Sequence, residues 1–178
     1  MRRNFPYSAS TSISIGNIYC DGGVIKKNPS SIGGTWAWCL VKDEVILKWN
    51  AGVVTPDDIG MDSVTNNFTE LLAAVNSLAY ILGAYPDWEG KFCTDSLITL
   101  NRLTCSKSFN NVPKWLVDKT LQLRSNRKWK ASLVKGHANK KEIESGWSGR
   151  HPTSKWNSWC DEKCSELAKL YLEGKKIK

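Results

Sequence analysis

Four carboxylates in this 178-residue chain fall where predicted elements begin or end. Asp21 closes the first predicted strand, ahead of Gly22 and Gly23, and Asp95 closes the fourth, ahead of Ser96. Glu70 stands in the first turn of the main predicted helix, off its apolar stripe, and Asp161 flanks the stripe of the last helix. Gathered in one place, such acids would offer hard oxygen ligands to a divalent cation. Without a cation they would repel one another, and some would protonate. Each also has an ordinary structural explanation. Asp21 suits an Asx turn, Glu70 a helix N-terminal charge, Asp95 an N-cap and Asp161 a solvated surface. Spacing along the chain does not by itself bring the four together.

The elements that must position them can be read from periodicity. Asn17 to Gly23 is a short apolar run ending in a glycine pair, a buried strand entering a turn. TWAWCLV, from Thr35, is a second strand in which Trp36, Trp38 and Leu40 alternate with smaller residues. A Lys42-Asp43-Glu44 connection leads to a third strand, VILKWNAG. A polar loop with Pro56 follows, then a helix from Asn66 to Leu82, with Phe68, Leu71, Leu72, Val75, Leu78, Ala79 and Leu82 at helical spacing. Thr65, Asn66 and Asn67 are its possible caps. Lys91 to Asp95 is a fourth strand running into a helical SLITLNRL. A helix over Val112 to Leu123 and a fifth strand over Trp129 to Val134 follow. Gly136 to Ser154 reads as a long loop, of the kind that is usually functional or mobile, and a last helix runs from Lys155 to about Glu173. Three hairpin-linked strands followed by alternating helices and strands make an α+β fold on a mixed sheet.

The chain is long enough for one domain with a single core, and no apolar run has membrane-spanning length. The expected organisation is a flexible tail over residues 1–16, one domain over 17–174 and a short basic tail over 175–178. The formal net charge of +8 is lopsided: residues 114–178 carry 16 Lys+Arg against 7 Asp+Glu, a net +9, and residues 1–113 carry 9 against 10. Such a basic half suits a polyanion, because phosphate neutralisation releases counterions. A basic surface kept for solubility fits the same numbers. The six cysteines lack the paired spacing of a zinc site and read as reduced, mostly buried thiols of an intracellular protein. A cytoplasmic monomer with no membrane association is expected. Arg2, Arg3, five Ser or Thr residues and no acid in the first sixteen also match the bias of an organellar transit peptide.

The blocks IYCDGG, NPSSIGG, TNNFTELLAA, CTDS, VKGHA and NSWCDEKCSELA give the four acids a shared context. In order and approximate spacing, from Asn17 to Tyr171, they resemble the ribonuclease H type 1 family. The resemblance implies a ribonuclease H-like fold: a five-stranded mixed sheet flanked by helices, its first three strands antiparallel, its fourth and fifth parallel to the first. It implies that Asp21, Glu70, Asp95 and Asp161 converge on one metal site, and that the RNA strand of an RNA–DNA hybrid is hydrolysed by a two-metal mechanism. Two Mg²⁺ ions, with Mn²⁺ able to substitute, would hold the attacking and leaving oxygens when roughly 3.5–4 Å apart. His137, in KGHA, resembles the loop His that assists proton transfer or product departure. Asn28, Asn66 and Asn67 resemble residues that contact the hybrid's backbone and minor groove, where 2′-hydroxyls distinguish RNA from DNA. Thr65 matches a contact to a DNA-strand phosphate and also suits a helix cap.

The sequence departs from the family pattern in three places. The turn from Asp21 to Asn28 is one residue longer than in the familiar bacterial enzymes. The segment between His137 and Asp161 is expanded and contains Trp147, Arg150 and His151, which leaves His151 as a second candidate beside His137. The Ser106 to Trp115 region matches the family's basic, Trp-bearing handle weakly, so Lys107, Lys114 and Trp115 either grip the DNA strand or, for Trp115, pack structurally. Two other functions remain open on this fold: a catalytically silent hybrid-binding module, and a nuclease acting on DNA. The TNNFTE and KGH blocks favour the hybrid-cleaving branch.

Overall fold

In the computed structural model, which describes residues 16–174 apart from Asn126 and Arg150 and gives His151 by its backbone alone, five strands form one sheet in the order β3-β2-β1-β4-β5. Apart from Gly16, the two expected tails lie outside the described residues, as does the His151 side chain. Strand β1 (Asn17–Val24) pairs antiparallel with β2 (Gly34–Lys42), which pairs antiparallel with β3 (Val45–Val54). Strand β4 (Lys91–Thr94) runs parallel to β1, and β5 (Lys130–Leu133) parallel to β4. This is the mixed sheet expected.

Alternation along β2 explains the layers. Trp38 and Leu40 point to one face and join Phe68, Leu71, Leu72, Val75 and Leu78 of the long helix α2 (Asn66–Ala84). Ala37, Cys39 and Val41 point to the other and meet Cys160 and Cys164 of α6 (Lys155–Leu172). Side chains alternate with a period of two along a strand, so covering both faces buries all of β2 but Trp36 and Lys42, which stay partly exposed. Small residues at 37, 39 and 41 let α6 lie close. The remaining helices are the single turn α1 (Pro56–Ile59), α3 (Leu97–Thr104), α4 (Lys114–Ser125) and α5 (Lys140–Ser145). No helix among the described residues is long and apolar enough to cross a membrane.

The stretch from Gly136 to Ser154 is not one long loop. It contains α5 and a small hairpin of β6 (Trp147–Ser148) and β7 (His151–Pro152). Asn139 and Glu142 form a reciprocal capping box that starts α5, and Gly146 ends it in the left-handed conformation. The Lys135 N–H donates to the Pro152 carbonyl at 2.8 Å, so the insertion returns to where it left β5.

All six cysteines are free, and all but Cys105 are buried. The Cys164 thiol donates to the Asp21 carbonyl at 3.6 Å and that of Cys160 to the Tyr19 carbonyl at 3.5 Å, which ties α6 to β1 beside the acids.

Candidate active site

Gly22 is the reason β1 and α2 meet closely. A Cβ there would stand 2.4 Å from the Glu70 amide nitrogen and 2.4 Å from the Thr69 carbonyl carbon. That approach places Asp21 beside Glu70. The parallel pairing of β1 with β4 then carries Asp95 alongside. Oxygens of Asp21, Glu70 and Asp95 all lie within 4.8 Å of one another.

The structural explanations for these acids separate here. Ser96, not Asp95, caps α3, accepting from the Thr99 amide at 3.2 Å, so the Asp95 carboxylate remains available. Thr65 caps α2, with its hydroxyl accepting from the Phe68 amide at 3.2 Å. Asp21 does accept a local bond, from the Gly22 amide at 2.8 Å, yet it is 7% exposed and faces two other acids.

Burial is the main cause of the electrostatic strain. It pushes the Asp21 carboxyl up to about 8, the nearby Asp95 charge adding to the effect and the Gly22 amide opposing it. Glu70 is raised by burial against a Ser96 hydrogen bond, with Asp95 adding to the rise and Arg102 opposing it. Asp95 is raised by burial against a hydrogen bond from Asn157. A desolvated all-carboxylate donor set of this kind fits a hard divalent cation, which would remove the repulsion and take the oxygens as ligands.

Asp161 stands at the rim rather than within the triad. It is half-exposed on α6, near enough to raise the proton affinity of Asp21 and Asp95. Its Oδ2 lies 3.7 Å from Nδ1 of His137, whose side chain is 82% exposed. His137 takes a left-handed φ of 47°, a conformation His tolerates better than most residues. The preceding Gly136 leaves room for the acid: a Cβ there would meet Asp95 Oδ2 at 2.4 Å and displace that carboxylate. The turn therefore presses its backbone against one acid and offers its imidazole to another.

Beside the acids lies a groove of two adjoining cavities. One, of about 220 Å³, gathers the expected Asn28, Thr65 and Asn67 with Arg102, Asn110 and Asn111. The other, of about 380 Å³, shares Asn67, Arg102, Asn110 and Asn111 and adds Ser106 and Ser108. Asn28 Oδ1 accepts from the Asn66 amide at 3.2 Å, which fixes the long turn after β1 to the start of α2. Lys107, Lys114 and Trp115 are exposed but line neither cavity, and Lys114 is paired with Asp118 at 2.6 Å.

Sequence reasoning missed Asn157 and Arg102. Asn157, on α6 and 2% exposed, donates from Nδ2 to Asp95 Oδ2 at 3.2 Å, while its Oδ1 has no partner among the described residues. Its signal was the polar residue one turn before Asp161, on the helix face that carries Cys160 and Cys164.

No protein-family model matches the sequence, and no curated protein does. Solved structures do. LC11-RNase H1, isolated from compost by a metagenomic approach, aligns at TM-score 0.62 and 16% identity over 89% of this chain and 99% of that one. The chain has the ribonuclease H fold. RNase H1 from Halobacterium salinarum aligns at TM-score 0.56 and 18% identity, over 89% of this chain and 98% of that one. LC11-RNase H1 in complex with an RNA/DNA hybrid aligns at TM-score 0.61 and 16% identity, over 88% and 99%. In this chain Asp21 lies within β1, which runs on to Val24 instead of closing at the acid, Glu70 stands just past the first turn of α2, and only Asp95 directly follows its strand, β4. The three acids meet where these elements adjoin.

Proposed function

We propose that the protein is an endoribonuclease that hydrolyses the RNA strand of RNA–DNA hybrids with divalent metal, Mg²⁺ by preference and Mn²⁺ as a substitute. The observation that carries this reading is the triad: three desolvated carboxylates with oxygens within 4.8 Å, where β1, β4 and α2 of a ribonuclease H fold adjoin. Asp21, Glu70 and Asp95 would hold the metal, with Asp161 completing the set from α6. When bound, two divalent ions supply Lewis-acid stabilisation of the attacking and leaving oxygens of the phosphodiester.

The chain's own residues do the rest. Asn157 orients the Asp95 carboxylate, and Gly136 lets the His137 turn close over it. Asp161, 3.7 Å from the His137 imidazole, holds that ring at the rim of the site, which suits a group that passes a proton in and out. The amides of Asn28 and Asn67 offer donors and acceptors to 2′-hydroxyls and bases of a duplex lying in the groove.

Incubation with end-labelled hybrid, duplex DNA and duplex RNA tests the choice of substrate. In Mg²⁺ or Mn²⁺ only the hybrid should be cut, in its RNA strand, and chelation should stop the reaction. Equal cutting of duplex DNA would move the protein to the DNA-nuclease branch.

A further inference from the structure

Arg102 is a buried cation short of partners. It is 7% exposed on α3, and its Nη1 has no hydrogen-bond partner among the described residues. Its Nη2 donates to the Asn110 carbonyl at a long 3.4 Å, and its Cζ lies 6.0 Å from the Phe109 ring centroid. A guanidinium carries five N–H donors, so most of its capacity is unused. Burying a charge this way is costly unless something anionic completes it. Glu70 is the anion coupled to Arg102, but no hydrogen bond joins them and Glu70 faces the triad.

The surroundings are built for an anion. Arg102 lines both cavities of the groove, and their other walls contribute amides, hydroxyls and apolar groups but no carboxylate. The first turn of the 19-residue helix α2 borders the smaller cavity through Thr65, Asn67 and Phe68, adding the positive end of its dipole. The wall below is held firmly. Arg124 Nη1 donates to the Arg102 carbonyl at 3.2 Å and to the Ser106 carbonyl at 2.7 Å, fixing the chain that carries the guanidinium.

We infer that Arg102 is a substrate-binding residue whose guanidinium takes the non-bridging oxygens of one backbone phosphate of the duplex lying in the groove. Because Arg102 lines both cavities of the groove, that single phosphate fixes where the bound duplex lies along it. The inference rests on the nuclease reading only for the identity of the polyanion.

The test measures hybrid binding by the full chain in an Asp95→Asn background, with Mg²⁺ present, at several salt concentrations. Arg102→Gln should weaken binding about tenfold or more, the worth of a hydrogen bond to a charged group. It should flatten the slope of log K against log salt by about 0.9, one phosphate contact. Arg102→Lys should keep the slope and lose part of the affinity, because lysine lacks the planar fork. Hybrids carrying one neutral methylphosphonate at successive positions then locate the contact. One position should weaken the parent and leave Arg102→Gln indifferent, and its strand shows whether the phosphate belongs to RNA or DNA. Unchanged affinity and slope in Arg102→Gln, or equal sensitivity of both proteins at every position, overturns the inference. If Arg102→Gln fails to fold, Arg102→Lys is read in its place, and affinity for the unmodified hybrid equal to the parent's overturns the inference. An Arg102-dependent slope in a protein whose parent never cuts hybrid would sink the nuclease reading and leave Arg102 in place. Normal cutting with an unchanged slope would do the reverse.

Discussion

At Asp21 the folded protein holds a proton that the unfolded chain releases. Its carboxyl is raised from 3.8 to about 8 by burial and by Asp95, so between those values the native state binds more protons than the unfolded state. Stability of the metal-free protein should therefore be greatest at the acid end of this window and fall as pH rises toward 8. Glu70 and Asp95, shifted in the same direction, add to the fall. Asp21→Asn keeps an oxygen for the Gly22 amide and removes the charge. It should flatten that decline and stabilise the metal-free protein at pH 8, at about 1.4 kcal/mol per pKa unit removed. Thermal unfolding in chelator from pH 5 to 8 checks both, and a parent more stable at pH 8 than at pH 5 would reject the assignment. Divalent metal should stabilise the parent at pH 8 and the Asn variant far less. His137→Ala should be milder, slowing turnover about 10²–10⁴-fold, the usual worth of acid–base assistance, without lowering metal affinity. Single-turnover rates at saturating metal measure this, and a full-rate His137→Ala together with a large loss in His151→Ala would transfer the role to His151. At this scale the acids were legible through the sequence blocks around them rather than through element ends: Asp95 directly follows β4, but Asp21 lies within β1, Glu70 past the first turn of α2 and Asp161 well inside α6. Arg102 and Asn157 were not, because a polar residue on an amphipathic helix reads as solvent-facing until its neighbours are known.

Elements fix how closely the site can assemble, and the contact between β1 and α2 is the tightest constraint. Gly22→Ala would drive a methyl group into the Glu70 and Thr69 backbone, where no flexible side chain can yield. Overpacking of this kind costs about 1–3 kcal/mol. It should also separate Asp21 from Glu70, so metal affinity should fall by more than the stability loss explains. Calorimetric metal titration of the folded variant measures this, and unchanged affinity would detach the helix contact from the site. The main elements were readable from different local signals: an apolar run into a glycine pair for β1, alternation for β2, a hairpin connection for β3, and helical spacing from Phe68 to Leu82. The insertion after His137 was not read. Helix α5 buries no residue and has a six-residue span, so it lacks the apolar stripe by which a helix shows itself. Its one local signal was the Asn139–Glu142 capping pair. The hairpin behind it has two-residue strands, too short for alternation to register.

On the scale of the whole molecule, the fold sets an acidic triad beside a carboxylate-free groove in a chain of net charge +8. Hybrid binding should weaken steeply with salt, log K falling against log salt by roughly 0.9 for each phosphate contacted. A flat response would remove the basic surface from the substrate path. What no pattern along the chain could supply was the meeting of Asp21, Glu70 and Asp95, since they lie 25 or more positions apart and only the β1–β4 pairing and the β1–α2 contact join them. The most direct test of the central claim is cleavage of end-labelled RNA–DNA hybrid in Mg²⁺ by the purified parent and by Asp95→Asn prepared in parallel. The parent should cut the RNA strand internally and the variant should not, while both remain folded and bind the hybrid. A parent that binds the hybrid and leaves it intact, or a variant that cuts as fast as the parent, would contradict the account.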